Sequence, residues 1–288
     1  MVRLAVATRA QTFERIRGPL GDRGIDVESI ATSERTVSLD DPPFDPARFD
    51  VGFVFPGRLM EGGVLSVLLS VPWINDREAV LRSRNKAETL ARLQAADVPV
   101  PKTTLVSNPV DESATLDAFD NFDGPVVVKP NSTTRGRGVV RVDDPDSFRG
   151  VVDYLELLHD NQAVGDRSYL LQEFVPEATD YRVMVVDGAY AGAVERTIPD
   201  ADRTAGRWKH NVHRGAVAET VDLPAELRAI AERVASVMDI PLLGVDLLVT
   251  DDRVVVTETN ARPTVDSAEK YVSDFYDRLA RLIRETAD

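Results

Sequence analysis

The stretch LLGVDLLVTDDRVVVTETN, residues 242–260, organises the rest of this chain. The apolar run LLGVDLLV and the shorter run VVVT flank the polar tetrapeptide TDDR, a pattern that predicts two adjacent antiparallel strands with a tight turn. Asp246 interrupts the first run, and Glu258 directly follows the second. Asn260 comes two residues after Glu258, so both side chains share one face while the chain stays extended.

Three oxygen-bearing side chains are thus expected to converge from neighbouring strands: Asp246, Glu258 and Asn260. Carboxylates near a core are costly unless a cation lies between them, and an all-oxygen set suits Mg²⁺ carried with a nucleotide. In the alternative interpretation Asp246 pairs with an arginine, and the other two residues merely end a strand. The segment alone leaves both interpretations open.

Length and composition exclude several classes of protein. A chain of 288 residues with 43% apolar residues can bury a sizeable core in two or three subdomains. Its apolar runs are too short to span a bilayer and its N-terminus lacks a signal-peptide core, so we expect a cytoplasmic protein without membrane contact. The absence of cysteine and the presence of only three histidines disfavour thiolate, zinc and serine-triad chemistry.

The net charge of −14 argues against a nucleic-acid partner, because phosphate backbones are bound by basic patches. Arginine is abundant and lysine scarce, as in halophile-like acidic proteins whose charge repulsion is screened by salt. The lysines are Lys86, Lys102, Lys129, Lys209 and Lys270. A lysine retained in such a background is expected to have a function.

The first part of the chain predicts a small open α/β domain. Its expected elements are strands at 2–7, 25–30 and 51–55 and a helix at 11–20. No GxGxxG follows the first strand, so the dinucleotide fingerprint is absent. The loop Phe55–Arg58 stands where such sheets place ligand loops, although an ordinary turn is the commoner case. A polar helical stretch, 77–96, follows, and we place a domain boundary near Asn85 within it.

The segment PVVVKPNSTTRGRGVVRV, residues 125–142, carries the clearest chemistry in the middle of the chain. Two β-branched runs bracket a loop of small residues that lacks the GKS or GKT ending of a P-loop. Such a hairpin loop can fold over phosphates, with Lys129 supplying charge from the preceding strand. The glycines alone fit a flexible surface hairpin, but a lysine inside an apolar strand needs an anionic partner.

The remaining segments alternate between expected strands and helices. We expect strands at 169–175, 180–186 and 189–197, and helices at 144–158, 224–238 and 268–286. His210 and His213 have the spacing of metal ligands, but no third strong ligand lies nearby in sequence. A polar loop is therefore the better interpretation.

Six motifs now stand in order: VVVKPN with its glycine loop, LLQEFV, DYRVMVV, KHNVHRG, GVDLLV and VVTETN. In order and spacing they resemble the ATP-grasp superfamily, and within it the RimK-like carboxylate–amine ligases, over roughly residues 74–288. The resemblance implies an α/β (α+β ATP-grasp) fold with a small N-terminal open α/β domain and a two-lobed ATP-grasp domain. The implied bounds are 1–85 for the first domain and 86–288 for the second, with lobes 86–171 and 172–288.

The resemblance also implies roles for individual residues. ATP would be bound by Lys86, Lys129, Thr134, Gly136, Gly138, Glu173, Phe174, Val175, Asp180, Lys209, His210 and Asn211. Catalytic roles would fall to Arg182, Arg214 and Asn260, and to these we add Arg262, which the family pattern does not contain. The metal ligands would be Asp246, Glu258 and Asn260. Within the ATP set, Lys86 and Lys129 would contact phosphates, residues 173–175 would read adenine through backbone groups, and Glu173 and Asp180 would serve base and ribose.

Two departures from the family pattern concern cations. Lys209 stands where the family has arginine, and a point charge is not equivalent to a bidentate fork. Arg262 stands in NARPT, where the family has the small NSSPG ending, and adds a bulky cation beside the metal ligands. Either Arg262 faces the cleft and selects acidic substrates, or it forms an exposed pair with Asp266 or Glu269.

The implied activity is an ATP-dependent ligase that joins a small-molecule carboxylate to an amine through an acyl phosphate. Two Mg²⁺ ions are expected, with Mn²⁺ as a substitute, and a homo-oligomer is compatible with the sequence. One alternative is an ATP-grasp kinase in which Arg58 and Arg262 hold a polyanionic substrate. Another is a nucleotide sensor without catalysis.

Overall fold

The computed structural model describes residues 1–8, 11–30, 36–134, 136–159, 166–204, 206–209 and 215–288. Within these ranges the strands are β1 (Val2–Val6), β2 (Ile25–Ser29), β3 (Val51–Phe53), β4 (Trp73–Ile74), β5 (Thr103–Ser107), β6 (Val126–Pro130), β7 (Val140–Val142), β8 (Ser168–Glu173), β9 (Thr179–Val186), β10 (Ala189–Thr197), β11 (Val217–Val221), β12 (Leu242–Val249) and β13 (Val254–Asn260). The helices are α1 (Gln11–Gly21), α2 (Leu59–Leu69), α3 (Arg77–Arg84), α4 (Lys86–Ala95), α5 (Glu112–Asp120), α6 (Pro145–His159), α7 (Asp200–Thr204), α8 (Ala225–Met238) and α9 (Phe275–Ala287).

The first sheet has the order β2-β1-β3-β4, and all its pairs are parallel. Its central strand β1 buries Leu4 and Val6 completely, as an apolar run covered by helices must. The covering helices are α1, which buries Ile16, and α9, which buries Leu279. The last helix of the chain therefore closes the core of the first sheet.

The second sheet has the order β5-β8-β6-β7 and is antiparallel. Its apolar face packs on α5 and α6, where the rings of Phe119 and Phe148 stack with centroids 4.6 Å apart. The hairpin expected at 125–142 is present as β6 and β7. Its loop projects toward the third sheet.

The third sheet has the order β11-β10-β9-β12-β13 and is antiparallel. One face is apolar and packs on α8, with Val183 and Val245 among its fully buried residues. The other face is divided. Met184 and Val186 pack into the core of the first sheet, while the polar residues earlier in β9 face the second sheet.

Two expected helices differ from the structure. The stretch 77–96 is two helices, because Asn85 has extended backbone angles and its side chain accepts a hydrogen bond from the Glu88 N–H at 3.2 Å. The last helix begins at Phe275 and not at residue 268. Before it, the Val272 N–H donates to the carbonyl of Ala191 at 3.0 Å, which ties that segment to β10 instead of to a helix.

The lobe boundary expected at residue 171 lies inside β8, which pairs with β5 and β6 as far as Glu173. We therefore propose that the first lobe ends after Glu173. The boundary near Asn85 remains a proposal; there α3 ends and α4 begins. No helix in the described ranges is long and apolar enough to cross a membrane.

Candidate active site

A cavity of about 480 Å³ lies between the second and third sheets. From the second sheet it is lined by Lys129 and Gln172, and from the third by Asp180, Asp246 and Glu258. The second sheet thus contributes a lysine, and the third contributes three carboxylates together with Arg196. A cavity of this size and polarity accommodates a small-molecule ligand with several charged groups.

The pairing of β12 with β13 places Asp246 directly opposite Glu258. A β-bulge follows, because the next partner of Leu247 is Val256 and Thr257 is the extra residue. A bulge re-aims side chains locally, and both Thr257 and Glu258 line the cavity. Of the three side chains expected to converge, this register sets Asp246 and Glu258 opposite each other, while Asn260 pairs with Gly244.

Asp246 is the centre of a buried charge network. Arg182, opposite it on β9, donates to both carboxylate oxygens at 2.7 Å. Arg196 of β10 lies 3.1 Å from Asp246 Oδ2 and also donates through Nε to Asp180 at 2.9 Å. The pairing of Asp246 with an arginine, left open by the sequence, is therefore present, and two arginines take part.

The two acids of this network have shifted pKa values of opposite sign. Burial acts to raise the pKa of Asp246, but Arg182 and Arg196 outweigh it and hold that pKa at about 2. Burial raises the pKa of Asp180 to about 6, because the favourable charge of Arg196 is offset in part by Asp246. Asp246 therefore carries the fixed negative charge of the site.

Two lysines enter the cavity from the other side. Lys86, the first residue of α4, is buried and donates to the carbonyl oxygens of Thr133 and Asn131. Lys129 donates to the side-chain oxygen of Gln172. Burial lowers the pKa of both lysines, to about 8 for Lys129. Both amines lie beside Glu258, whose carboxylate is 3.8 Å from the Lys86 amine.

The glycine loop is held close to these lysines. Gly136 lines the cavity, and Gly138 has a φ of +70°, which strongly favours glycine. Thr134 accepts a hydrogen bond at its carbonyl from the Arg137 N–H, 3.4 Å away. Lys209 donates to the Val139 carbonyl and so links this loop to the irregular segment that follows α7.

The segment 173–175 also lines the cavity. Its first two N–H groups are engaged, since Glu173 donates to the Lys102 carbonyl at 3.0 Å and Phe174 to the Pro125 carbonyl at 2.9 Å. The Glu173 carboxylate accepts from Arg253 at 2.9 and 3.1 Å. Readout of a base by N–H groups of this segment would therefore fall to Val175, which also lines the cavity.

Two aromatic rings and a guanidinium form one wall of the cavity. Phe174 meets Trp208 edge to face, with centroids 5.9 Å apart. Arg141 lies over the Phe174 ring at 4.4 Å. Such a wall offers stacking and cation–π contacts to a flat aromatic ligand.

Arg262 turns toward the first sheet. Its Nε donates to the carbonyl oxygen of Phe55 at 2.5 Å. The partners proposed for an exposed pair are engaged elsewhere: Asp266 with Arg15 and Lys270, and Glu269 with the Ser267 hydroxyl. The sequence did not predict this position, because the contact joins two loops that are about two hundred residues apart in sequence.

Several expected site residues lie outside the described part of the chain: His210, Asn211 and Arg214, together with His213. Conversely, the structure adds Arg196, Gln172 and Trp208 to the site. Arg196 and Gln172 could have been found from sequence, because each is a polar residue inside a strand that is otherwise mostly apolar. Trp208 precedes Lys209 in an irregular segment and carries no such signal.

The set of Asp246, Glu258 and Asn260 can be tested for fit to a divalent metal. Glu258 is 39% exposed, while Asn260 Oδ1 already accepts from the Arg262 N–H at 2.9 Å. Over the described ranges, no group of three or more carboxylate, histidine or cysteine side chains is arranged to hold a metal alone. Both oxygens of Asp246 already accept from Arg182, so Glu258 is the most open donor of the three, and an Mg²⁺ ion here would take most of its ligands from water and phosphate.

The fold and the site together define the ATP-grasp class, in which a nucleotide cleft lies between two sheets. A RimK domain ATP-grasp protein from Sphaerobacter thermophilus superposes with a TM-score of 0.67 at 23% identity, covering 100% of this chain and 98% of that one. The model of the RimK-like ATP-grasp domain matches residues 83–283. The chain belongs to the RimK-like ATP-grasp family, which confirms the resemblance and the fold class expected from the motifs.

Two relatives are named probable alpha-L-glutamate ligase. The protein of Shewanella halifaxensis is 30% identical over 204 residues, and that of Legionella pneumophila is 32% identical over 200. These alignments take 70% and 68% of this chain but only 41% and 61% of the two relatives. Family membership implies the use of ATP with a divalent metal ion.

Proposed function

We propose that this chain is an ATP- and Mg²⁺-dependent ligase that joins a carboxylate to an amine through an acyl phosphate. The observation that carries the proposal is the opposition of charges across one cavity, with Lys86 and Lys129 on one side and Asp246 and Glu258 on the other. Phosphates carried with a metal ion would bridge the two sides, because lysines bind the phosphate oxygens and carboxylates bind the metal.

In this proposal ATP lies along the cavity. The adenine ring packs against the wall of Phe174 and Trp208 and is read by the Val175 N–H, while the phosphates lie under the glycine loop. Lys86 and Lys129 then exchange their present oxygen partners for phosphate oxygens. Asp180 is paired with Arg196. We therefore assign Asp180 two roles: it holds the guanidinium of Arg196 in place, and it contacts the ribose of ATP.

The chemistry requires no nucleophile from the protein. A carboxylate oxygen of the substrate attacks the γ-phosphorus, the bond to the β-phosphate oxygen breaks, and ADP leaves. The amine then attacks the carbonyl carbon, phosphate departs, and the amine loses a proton as the amide forms. The chain's own residues position the reactants and stabilise charge, which agrees with a site that lacks cysteine.

Asp246, Glu258 and Asn260 would hold Mg²⁺, which supplies charge neutralisation for the moving phosphoryl group. We expect two ions, with Mn²⁺ as a functional substitute. Arg182 remains near the reacting carboxylate because Asp246 fixes its guanidinium at two points. Arg214, which lies outside the described residues, keeps its proposed catalytic role.

Nucleotide binding can be tested by fluorescence because the chain has two tryptophans. Trp73 is buried beside Phe55 in the first sheet, whereas Trp208 lines the cavity. Adding ATP with Mg²⁺ should change the emission of the native chain, and Trp208→Phe should abolish that change. An unchanged spectrum together with no binding heat in calorimetry would overturn the nucleotide site.

Catalysis is tested by incubation with ATP, Mg²⁺ and pooled amino acids, scored for ADP, phosphate and new amides by mass spectrometry. A ligase releases ADP and free phosphate in equal amounts with the amide. A phosphorylated product without free phosphate would indicate a kinase and overturn the proposal. Binding of ATP without turnover under any substrate pool would indicate a nucleotide sensor.

A further inference from the structure

Two arginines from distant parts of the chain converge on the loop that follows β3. Arg84, the last residue of α3, donates through Nη2 to the carbonyl oxygen of Gly57 at 2.7 Å. Arg262 donates through Nε to the carbonyl oxygen of Phe55 at 2.5 Å. A methyl group added to Gly57 would lie 2.6 Å from Nη1 of Arg262, so both guanidinium groups adjoin the same short loop.

Arg84 is half-buried, and no ion pair joins it to an acid within the described residues. Its hydrogen-bond partner within the described ranges is a carbonyl oxygen, and that bond uses one of the five N–H donors of the guanidinium. Burial lowers the pKa of Arg84, and no carboxylate of the described chain acts against this shift. A half-buried cation beside a second cation is stabilised by a bound anion.

The backbone that carries Arg262 is fixed from both sides at Ala261. The Ala261 N–H donates to the hydroxyl of Ser83 at 3.0 Å, and its carbonyl accepts from the amide of Asn75 at 2.6 Å. Ser83 also bonds to the hydroxyl of Thr259 at 3.0 Å. A guanidinium on such a backbone loses less conformational entropy when it binds a ligand.

The two arginines adjoin the proposed site of phosphoryl transfer. Only Asn85 separates Arg84 from Lys86, whose amine contacts the glycine loop. Arg262 follows Glu258 by four residues, a span of at most about 13 Å of extended chain. The two guanidinium groups do not line the cavity itself, but Arg84 is close enough to Lys86 for its charge to act on that amine.

We propose that Arg84 and Arg262, with the loop Phe55–Gly57, form a subsite for a substrate carboxylate that does not itself react. This proposal rests on the proposed function, because the second carboxylate is located relative to the site of phosphoryl transfer. Planar guanidinium groups bind carboxylates through two parallel hydrogen bonds, and an uncharged amide of the same size lacks the matching acceptor charge. The subsite selects acidic substrates over their amides.

The test is binding of L-glutamate and L-aspartate against L-glutamine and L-asparagine. Each is titrated by calorimetry into the intact chain saturated with Mg²⁺ and a non-hydrolysable ATP analogue. At least one acid should bind at least tenfold more tightly than its amide. Equal affinities for acid and amide, or no binding of either pair, would overturn the subsite.

Three variants test the assigned residues. Arg84→Gln and Arg262→Gln should each reduce the preference for the acid to within about twofold, and Arg262→Lys should restore it in part. Gly57→Ala keeps both charges but forces the Arg262 guanidinium to move, so it should also weaken the preference. A preference that survives all of these changes would assign the selection to other residues.

Arg77→Gln is the matched control, because it removes an exposed arginine from the same helix, paired only with the exposed Glu78 in the described structure. It should leave the preference unchanged. Trp208 emission in the same samples reports nucleotide binding separately. If the native chain binds nucleotide normally but does not prefer the acid over its amide, the subsite alone is overturned. If the native chain does not bind nucleotide, the proposed function is overturned.

Discussion

Arg182 and Asp246 face each other across two strands and form a bidentate pair, with both nitrogen–oxygen distances at 2.7 Å. Arg196 adds a second cation at 3.1 Å from the same carboxylate. Asp246 and Arg196 are almost fully buried, so the carboxylate neutralises positive charge that water cannot reach. Removing one partner from such a pair leaves buried charge uncompensated.

Asp246→Asn should lower the free energy of unfolding by about 3 kcal/mol, because it leaves Arg182 and Arg196 without their shared carboxylate. This figure is at the low end of the usual range, since Arg182 is 40% exposed. Urea denaturation measures the change. Asp266→Asn is the control: its pairs with Arg15 and Lys270 are more exposed, so the loss should stay within about 1 kcal/mol. Equal losses in the two variants would contradict the network.

Glu258→Gln should leave stability nearly unchanged, because Glu258 is partly exposed and the amine of Lys86 is 3.8 Å away. Nucleotide affinity should stay within about tenfold while most turnover is lost, since the metal charge matters chiefly as the phosphoryl group moves. Steady-state ADP production and calorimetry measure the two effects. Full turnover in this variant would remove Glu258 from the metal site.

ATP affinity should fall as the pH rises through about 8, the pKa to which burial lowers Lys129. Without nucleotide the amine is protonated below that pH and neutral above it, whereas phosphate binding requires the charged form. Binding therefore takes up a proton above pH 8, and affinity can fall by up to about tenfold per pH unit. The free energy of unfolding changes in the opposite direction. Between pH 8 and 10.5 Lys129 is protonated in the unfolded chain but neutral in the folded chain, so a rise in pH stabilises the folded chain.

The measurement is the dissociation constant of ATP between pH 7 and 9.5, followed by Trp208 emission. Lys129→Arg should flatten the profile, because a guanidinium stays protonated over this range. Any slope that remains in the variant reports Lys86, whose pKa burial also lowers. A native profile that is flat above pH 8 would show that Lys129 does not contact the phosphates.

Asn75 stabilises the junction between the first and third sheets. Its buried amide donates to the carbonyl oxygens of Leu242 and Ala261. Asn75→Ala should cost about 2 to 4 kcal/mol, because two buried carbonyls lose their donor. Asn75→Asp should lower the free energy of unfolding by at least as much, since a carboxylate oxygen would then face two carbonyl oxygens without a donor.

Asn121→Ala is the control for this pair of variants, because Asn121 is exposed at the end of α5. Its effect should stay within about 0.5 kcal/mol. Thermal and urea unfolding compare the three. If Asn75→Asp were as stable as the native chain, the amide would not be the donor.

The sequence was sufficient to predict the elements that have a strong local pattern. The pairing of the strands around Asp246 and Glu258 follows from two apolar runs and a polar turn, and the structure has that pairing. The bounds of β10 were also predicted, since Asp187-Gly188 marks the turn before it. These features depend on residues within a few positions of each other.

Other features depend on contacts that sequence spacing does not report. The helix expected at 77–96 divides because one side chain, that of Asn85, competes with the backbone for a hydrogen bond. Arg196 joins Asp246 only after the three strands β10, β9 and β12 have paired. The position of Arg262 depends on its hydrogen bond to the carbonyl oxygen of Phe55, in the loop that follows β3. Tertiary packing decided these cases, and local pattern could not.

The extra residue at Thr257 makes the number of residues in β13 as important as their identity. Side chains alternate between the faces of a sheet, so inserting or deleting one residue just before Glu258 would turn its carboxylate toward α3 and α4 and away from the cavity. The exposed turn at 251–253 has no such constraint. Length differences among homologues and inserted peptide tags should therefore be tolerated at the turn 251–253. The same changes next to Glu258 in β13, six residues away, should disrupt the site.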